Sequence, residues 1–215
     1  MAPALPIRET LAEIADPAHS ALLVIDVQHD FCRADCQAML PQLERLIAAA
    51  RAAGVYVVYV QNDTPADGST TSPAEISRRR RFGRDWRVTL VGTPGHAFVE
   101  QVAPLPTDLV VHKHRMSSFA GTDLDRLLRC RGIETLICTG VATNGCVLNT
   151  AFAAIALDYY VVVVEDCVAT GQRDLHDSAL YLLRNSVHYT VPAAQLAALW
   201  AAPVGAGAAV AEAVG

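Results

Sequence analysis

Six short apolar runs, rich in β-branched residues, alternate along the chain with segments of helical periodicity. They read ALLVIDV, VYVVYVQ, DLVVHK, ETLICTG, YYVVVVED and SVHYTV, at residues 21–27, 55–61, 108–113, 134–140, 159–166 and 186–191. Their near-continuous hydrophobicity is typical of parallel strands that helices cover on both faces. We therefore predict an α/β fold with a doubly wound, six-stranded, mainly parallel sheet and helices on both sides.

Five segments between and after these strands carry helix signals. Gly54 and Gly132 stand where a glycine typically ends a helix, and Pro192 opens the last one at an N1-like position. The predicted helices cover residues 39–54, 121–132, 146–158, 175–185 and 192–200.

The chain is predicted to form one domain over residues 1–200, followed by a low-complexity Ala/Gly tail at residues 201–215. Residues 62–106 interrupt the alternation with a Gly-, Pro-, Ser- and Arg-rich excursion, which is too long for a simple connection and is predicted to be a lid or a subunit contact. Within it, the arginines from Arg78 to Arg87 are interpreted as a solvated surface loop or subunit contact rather than an anion-binding site.

Charge and hydropathy exclude several classes of partner. The formal net charge of -5 argues against nucleic-acid binding, and no apolar run is long enough to cross a bilayer. The N-terminal segment lacks a secretion or import signal, so we expect a cytoplasmic location. The six cysteines show neither C-x-x-C nor zinc-ribbon spacing and are read as reduced thiols.

Three chemically competent residues follow predicted strands. In open α/β sheets ligands bind beyond the carboxyl ends of the strands, which is where Asp26, Lys113 and Cys146 fall. Taken singly, they could be a cap, a solvated lysine and a packed cysteine. Together they suit nucleophilic catalysis: a helix start and Lys113 would lower the thiol pKa, and Asp26 would accept and return the proton. Backbone N–H groups beside the cysteine could hold an oxyanion.

Four blocks resemble the isochorismatase-like cysteine hydrolase superfamily. They are ALLVIDVQHDFC, HKHRMSSFAGTDLDRLL, TLICTGVATNGCVLNTAFAA and YYVVVVEDCVAT, in the family's order, and the resemblance spans about residues 18–200. It implies an Asp26, Lys113 and Cys146 triad. It also implies a cis peptide between Val141 and Ala142, with the N–H groups of Ala142 and Cys146 forming the oxyanion hole. Dimers or tetramers are implied as well.

The resemblance is nearest to the ureidoacrylate and N-carbamoyl amidohydrolase branch. Isochorismatases proper lack the nucleophilic cysteine, and VQNDTP stands where metal-dependent nicotinamidases carry Asp-x-His, so neither a metal nor another cofactor is implied. In that branch, residues matching Gln28 and Asn62 hydrogen-bond a urea-like substrate. Phe31 and Phe119 are candidate apolar walls of the pocket.

These observations predict a cysteine-dependent amidohydrolase. It would cleave a linear amide, ureido or carbamoyl C–N bond of a small molecule through a thioester, releasing ammonia or an amine. A nicotinamidase-type amidase and a thiol redox protein, with Cys32 or Cys36 as resolving cysteine, remain alternatives. A nucleotide-binding module lacks its Gly-rich loop here, and His112 with His114 form an H-x-H pair for which the sequence shows no third metal ligand.

Overall fold

The predicted sheet is present. The computed structural model describes residues 7–202. Six parallel strands form one sheet in the order β3-β2-β1-β4-β5-β6. Their bounds are Ser20–Ile25 (β1), Tyr56–Asn62 (β2), Leu109–Lys113 (β3), Thr135–Val141 (β4), Tyr160–Ala169 (β5) and Tyr189–Val191 (β6). The strand order reverses between β1 and β4, which places the expected ligand crevice at their carboxyl ends.

Seven α-helices lie around the sheet within residues 7–202. They are Leu11–Ile14 (α1), Leu40–Ala53 (α2), Pro73–Arg81 (α3), Leu124–Arg129 (α4), Leu148–Ala156 (α5), Arg173–Arg184 (α6) and Ala193–Ala201 (α7). The doubly wound fold class is confirmed, because α2 and α7 pack on one face and α4, α5 and α6 on the other.

The central strand β1 shows why the chain adopts this layered form. All of its residues are buried. Leu22 and Val24 point to the core beneath α2 and α7, whereas Leu23 and Ile25 point to the core beneath α4, α5 and α6. Alternate side chains of a strand face opposite sides of the sheet, so a continuous apolar run requires a cover on both sides.

Helix α2 follows from the predicted signals. Its buried residues recur at helical spacing: Leu40, Leu43, Leu46, Ile47 and Ala50. It ends at Gly54, whose φ of 81° is the left-handed conformation that glycine adopts without strain. Burial of one helical stripe therefore fixes the helix against the sheet.

The excursion between β2 and β3 differs from its prediction at one point. The arginine run was expected in a loop, but residues 73–81 form α3. Ser72 caps this helix by accepting from the Glu75 N–H, and the Glu75 carboxylate pairs with Arg78 and Arg79 at 2.7 and 2.6 Å. An N-cap and i,i+3 and i,i+4 ion pairs stabilise a short helix that carries little apolar surface.

Smaller differences concern element ends. β6 begins at Tyr189 rather than Ser186, because the N–H groups of Ser186 and Val187 still bond to Leu183 at the end of α6. Pro192 is the N-cap of α7 rather than its first helical residue. In the predicted tail, Ala201 ends α7, and residues 203–215 lie outside the described range. None of the helices between residues 7 and 202 combines the length and apolar character needed to cross a bilayer.

Candidate active site

The structure brings the three predicted triad side chains together. Asp26 follows β1, Lys113 ends β3, and Cys146 lies in a π-helical turn, Thr143–Val147, after β4. The Lys113 ammonium lies 2.7 Å from Asp26 Oδ2 and donates a hydrogen bond to Cys146 Sγ at 3.4 Å. Groups 33 to 120 residues apart in the sequence therefore share one site at the edge of the sheet.

A close approach of β1 and β4 helps to place Asp26. Gly140 has a φ of 107°, and a Cβ atom there would lie 2.0 Å from the Ile25 carbonyl oxygen, so no other residue fits. Asp26 itself has a φ of 53°, a conformation that aspartate tolerates better than most residues. Its N–H bonds to the Val60 carbonyl at 2.9 Å, which ties it to β2.

The Lys113 ammonium is fully buried and uses all three of its donors. Besides Asp26 and Cys146, it donates to the Arg115 carbonyl at 2.9 Å. Burial opposes its charge, but Asp26 and then Cys146 hold the pKa of Lys113 above its ordinary value. The lysine is therefore a fixed positive charge between a carboxylate and a sulfur.

Asp26 is fully buried beside that charge. Burial raises the pKa of its carboxyl above the ordinary value, although Lys113 opposes the shift. The Lys113 ammonium forms an ion pair with Oδ2, and side-chain hydrogen bonds with Cys146 and Lys113 also oppose the rise in pKa. Such a carboxylate is more basic than an exposed one, which suits it to accept a proton from a thiol.

The prediction of a lowered Cys146 pKa is wrong. Burial and then the Asp26 carboxylate raise the pKa of the thiol to about 12, and Lys113 only partly offsets them. The helix start is also displaced, since α5 begins at Leu148 and the cysteine lies in the turn before it. The resting thiol therefore carries its proton and needs a base, although its partial exposure leaves room for an electrophile.

The turn that carries the cysteine has the backbone form implied by the resemblance. The Val141–Ala142 peptide is cis. The Ala142 carbonyl accepts from the N–H groups of Gly145 at 2.9 Å and Val147 at 3.2 Å. The oxyanion hole formed by Ala142 and Cys146 stays a prediction.

Gln28 and Asn62 lie side by side near this edge. The Gln28 amide is fully buried: its oxygen accepts from the Asn62 N–H at 2.9 Å, and its nitrogen donates to the carbonyls of Asn62 at 3.0 Å and His96 at 2.7 Å. The Asn62 amide donates to Thr89 Oγ1 at 2.7 Å. Their substrate-binding roles stay predictions, and both residues fasten the excursion to the sheet.

Sequence analysis did not identify Asp30 and Thr89, which join the loop after β1 to the excursion by a further hydrogen bond. Thr89 is fully buried with a φ of 50°, unusual for a β-branched residue, and its N–H donates to Asp30 Oδ2 at 2.6 Å. A Cβ atom at Gly95 would lie 2.4 Å from the Asp30 carboxylate, so the excursion approaches closely there as well. No sequence pattern marks a threonine for a left-handed conformation.

The two aromatic candidates pack on opposite sides of the sheet. Phe31 lies against the core under α2, and Phe119 stacks on Tyr159 with ring centroids 5.9 Å apart in the other core. Both are partly exposed. Their role as pocket walls stays a prediction.

The H-x-H histidines gather around Asp63. Its two carboxylate oxygens contact His96 at 2.8 Å and His112 at 2.9 Å, and its carbonyl lies 2.7 Å from His114 Nδ1. In the part of the chain that the structure describes, no group of three or more His, Cys, Asp or Glu side chains is placed to hold a metal ion. Asp63 instead links His96 of the excursion to His112 of β3.

Comparison with known proteins shows the family of this chain. The isochorismatase domain family matches residues 20–195. The chain belongs to the isochorismatase family. It is a hydrolase of that family, and its relatives include ureidoacrylate amidohydrolase RutB from Methylorubrum extorquens, which is 37% identical over 200 residues, 82% of this chain and 80% of the relative.

Two solved structures of the family extend the similarity. N-carbamoylsarcosine amidase from Thermoplasma acidophilum is 30% identical with a TM-score of 0.65, covering 80% of this chain and 95% of the amidase. Nicotinamidase/pyrazinamidase PncA from Bacillus subtilis is 28% identical with a TM-score of 0.71, covering 80% of this chain and 98% of the other. Both similarities extend over about four fifths of this chain.

Proposed function

We propose that this chain is a cysteine-dependent amidohydrolase that cleaves a linear C–N bond of a small amide, ureido or carbamoyl compound through a thioester. The observation that supports it most is the placement of one buried ammonium, Lys113, within 2.7 Å of Asp26 and 3.4 Å of Cys146. Cys146 as nucleophile, Asp26 as base and the Lys113 charge that stabilises both match the requirements of covalent catalysis.

The first half-reaction forms the acyl-enzyme. Asp26 removes the Cys146 proton, and the thiolate attacks the substrate carbonyl carbon, so that a C–S bond forms and the carbonyl electrons move to oxygen. The N–H groups of Ala142 and Cys146 are proposed to hold that oxyanion. Asp26 then returns the proton to the departing nitrogen, the C–N bond breaks, and a thioester remains.

The second half-reaction hydrolyses the thioester. Asp26 takes a proton from water, whose oxygen attacks the thioester carbon, and the collapse of this adduct breaks the C–S bond and returns the proton to Cys146. For a ureido substrate the acyl group is a carbamoyl unit, which leaves as carbamate and breaks down to ammonia and carbon dioxide. Lys113 keeps its charge throughout and stabilises the carboxylate and the thiolate in turn.

A ureido or carbamoyl substrate is favoured over a ring-bound amide. The names of two relatives, ureidoacrylate amidohydrolase and N-carbamoylsarcosine amidase, denote substrates of this type. Asn62 lies at the predicted urea-binding position, and we propose that Gln28 acts on substrate through Asn62, because its own amide is committed to protein carbonyls and an N–H.

Two other functions lead to different expectations. The similarity to nicotinamidase keeps nicotinamide among the substrates to test. A redox role would need a resolving thiol beside Cys146, but Cys32 interacts with Cys36, and Cys146 interacts with Asp26 and Lys113. Cytoplasmic residence and assembly into a homo-oligomer stay predictions.

The function is tested by a screen for ammonia release. The substrates are ureidoacrylate, N-carbamoyl amino acids, biuret, nicotinamide and aliphatic amides. We expect turnover of a ureido or carbamoyl compound, its loss in Cys146→Ala, and its retention in the matched variant Cys130→Ala, which alters an exposed cysteine at the end of α4. Turnover that Cys146→Ala leaves intact would refute the proposed chemistry.

A further inference from the structure

A side chain of α6 contacts the turn that carries Cys146. His176 Nδ1 lies 2.9 Å from Thr143 Oγ1, and Thr143, which opens the turn, is fully buried. Thr143 precedes Cys146 by three residues, whereas His176 follows it by 30. The contact therefore joins the cysteine turn to an element that is distant in sequence.

Apart from the hydrogen bond from Lys113 to Cys146 Sγ, the other hydrogen bonds described for this turn are local. The Ala142 carbonyl accepts from Gly145 and Val147, and the Asn149 amide donates to the Gly145 carbonyl at 2.8 Å. Gly145 has φ -120° and ψ -105°, outside the helical range. Such a turn bonds mainly to itself, so its position relative to the sheet depends on packing and on contacts such as the one from His176.

We infer that His176 is a positioning residue, which fixes the Cys146 turn by bonding to Thr143 Oγ1. The inference rests on the proposed role of Cys146 as nucleophile. His176 contacts neither Asp26 nor Lys113 among its hydrogen bonds, so it acts through Thr143 rather than on the substrate. A displacement of about 1 Å in a reacting group can cost on the order of a hundredfold in rate.

The surroundings of His176 make the inference testable by chemical rescue. Its side chain lines an open cavity of about 460 Å³, together with Met39, Asp166, Ala169 and Arg173. Burial lowers the pKa of His176 below its usual value, which favours the neutral ring. Truncation of the ring would therefore leave a space beside Thr143 that free, neutral imidazole can enter from solvent.

The first test compares three variants. His176→Ala should lower kcat about tenfold to a hundredfold with KM within about threefold, because the acyl-transfer geometry changes more than ground-state binding. Imidazole should restore part of that loss. Thr143→Val removes the other partner and should lower kcat similarly without rescue, and the double variant should be no worse than either single one.

Two controls separate positioning from folding. His176→Asn keeps a polar atom near the Nδ1 position and should retain most of kcat. His188→Ala removes a second histidine that burial also perturbs, but which bonds to Val161 on β5, so kcat should not change. Wild-type kcat in folded His176→Ala, or additive losses in the double variant, would overturn the inference.

A readout that needs no substrate separates the positioning role of His176 from the proposed hydrolase function. Alkylation of Cys146 by iodoacetamide, followed by peptide mass spectrometry, should change severalfold in His176→Ala and return with imidazole. If the wild-type chain hydrolyses nothing while this rate still responds, the proposed function fails and the positioning role stands. If hydrolysis depends on Cys146 while neither kcat nor alkylation responds to His176→Ala, only the inference fails.

Discussion

Replacing Lys113 with methionine would leave the Asp26 carboxylate buried without an opposing charge. Both side chains are fully inaccessible to solvent, and the ammonium lies 2.7 Å from Asp26 Oδ2. The loss of one partner of such a pair costs about 3–5 kcal/mol. The carboxyl can limit the cost by taking a proton, which for an unfolded pKa of 3.8 requires about 4 kcal/mol at pH 7.

The pH dependence follows from the same argument. Between about pH 4 and pH 7 the folded Lys113→Met variant would bind one proton more than its unfolded state, so its stability should rise as the pH falls. The slope should be about 1.4 kcal/mol per pH unit while the folded carboxyl stays protonated. The double variant Asp26→Asn/Lys113→Met lacks the carboxyl and should lack this slope.

Urea unfolding of the wild type and both variants between pH 4.5 and pH 7.5 measures these quantities. We expect the single variant to be the less stable of the two at pH 7 and to approach the double variant on acidification. Equal unfolding midpoints for the two variants at pH 7 would refute the buried ion pair. A stability deficit of the single variant that does not change with pH would refute it as well.

Three further predictions follow from the site. Gly140→Ala should lower the free energy of unfolding by at least about 2 kcal/mol, because Gly140 has a positive φ and its new Cβ would meet the Ile25 carbonyl. The control Gly54→Ala meets no atom within 4 Å and should lose less in thermal or urea unfolding, and equal losses would contradict the close approach. The alkylation rate of Cys146 should still rise above pH 9 and should increase in Asp26→Asn, since the carboxylate helps to raise the thiol pKa to about 12; a plateau below pH 8 would indicate a preformed thiolate. Asp30→Ala should speed tryptic cleavage within residues 63–108 and raise KM, because the Thr89 N–H loses its acceptor. An unchanged cleavage rate would show that other contacts hold the excursion.

The sheet could be predicted because its causes are local. The runs at residues 21–27 and 134–140 are apolar on both faces, and that pattern alone demands covering helices. Helix ends were predictable where a glycine adopts a left-handed conformation, as at Gly54. The helix α3 was missed because Ser72 and its ion pairs, rather than an apolar stripe, stabilise it.

The site was predictable only in part. Strand ends and the family resemblance indicated Asp26, Lys113 and Cys146, but the direction of the thiol pKa depends on burial and on the Asp26 charge at close range, which no sequence pattern reports. The contact of His176 with Thr143 is likewise set by how α6 packs on the turn. Long-range geometry of this kind needs coordinates.

Covalent trapping of the acyl-enzyme is the sharpest test of the thioester mechanism. The chain is mixed with a ureido or carbamoyl substrate that it hydrolyses, quenched in acid during turnover, and mapped by peptide mass spectrometry. We expect a carbamoyl or acyl group on the peptide that contains Cys146, and we expect it to disappear when the substrate is exhausted. Hydrolysis during which Cys146 stays unmodified at every time point, together with activity retained by Cys146→Ala, would contradict it.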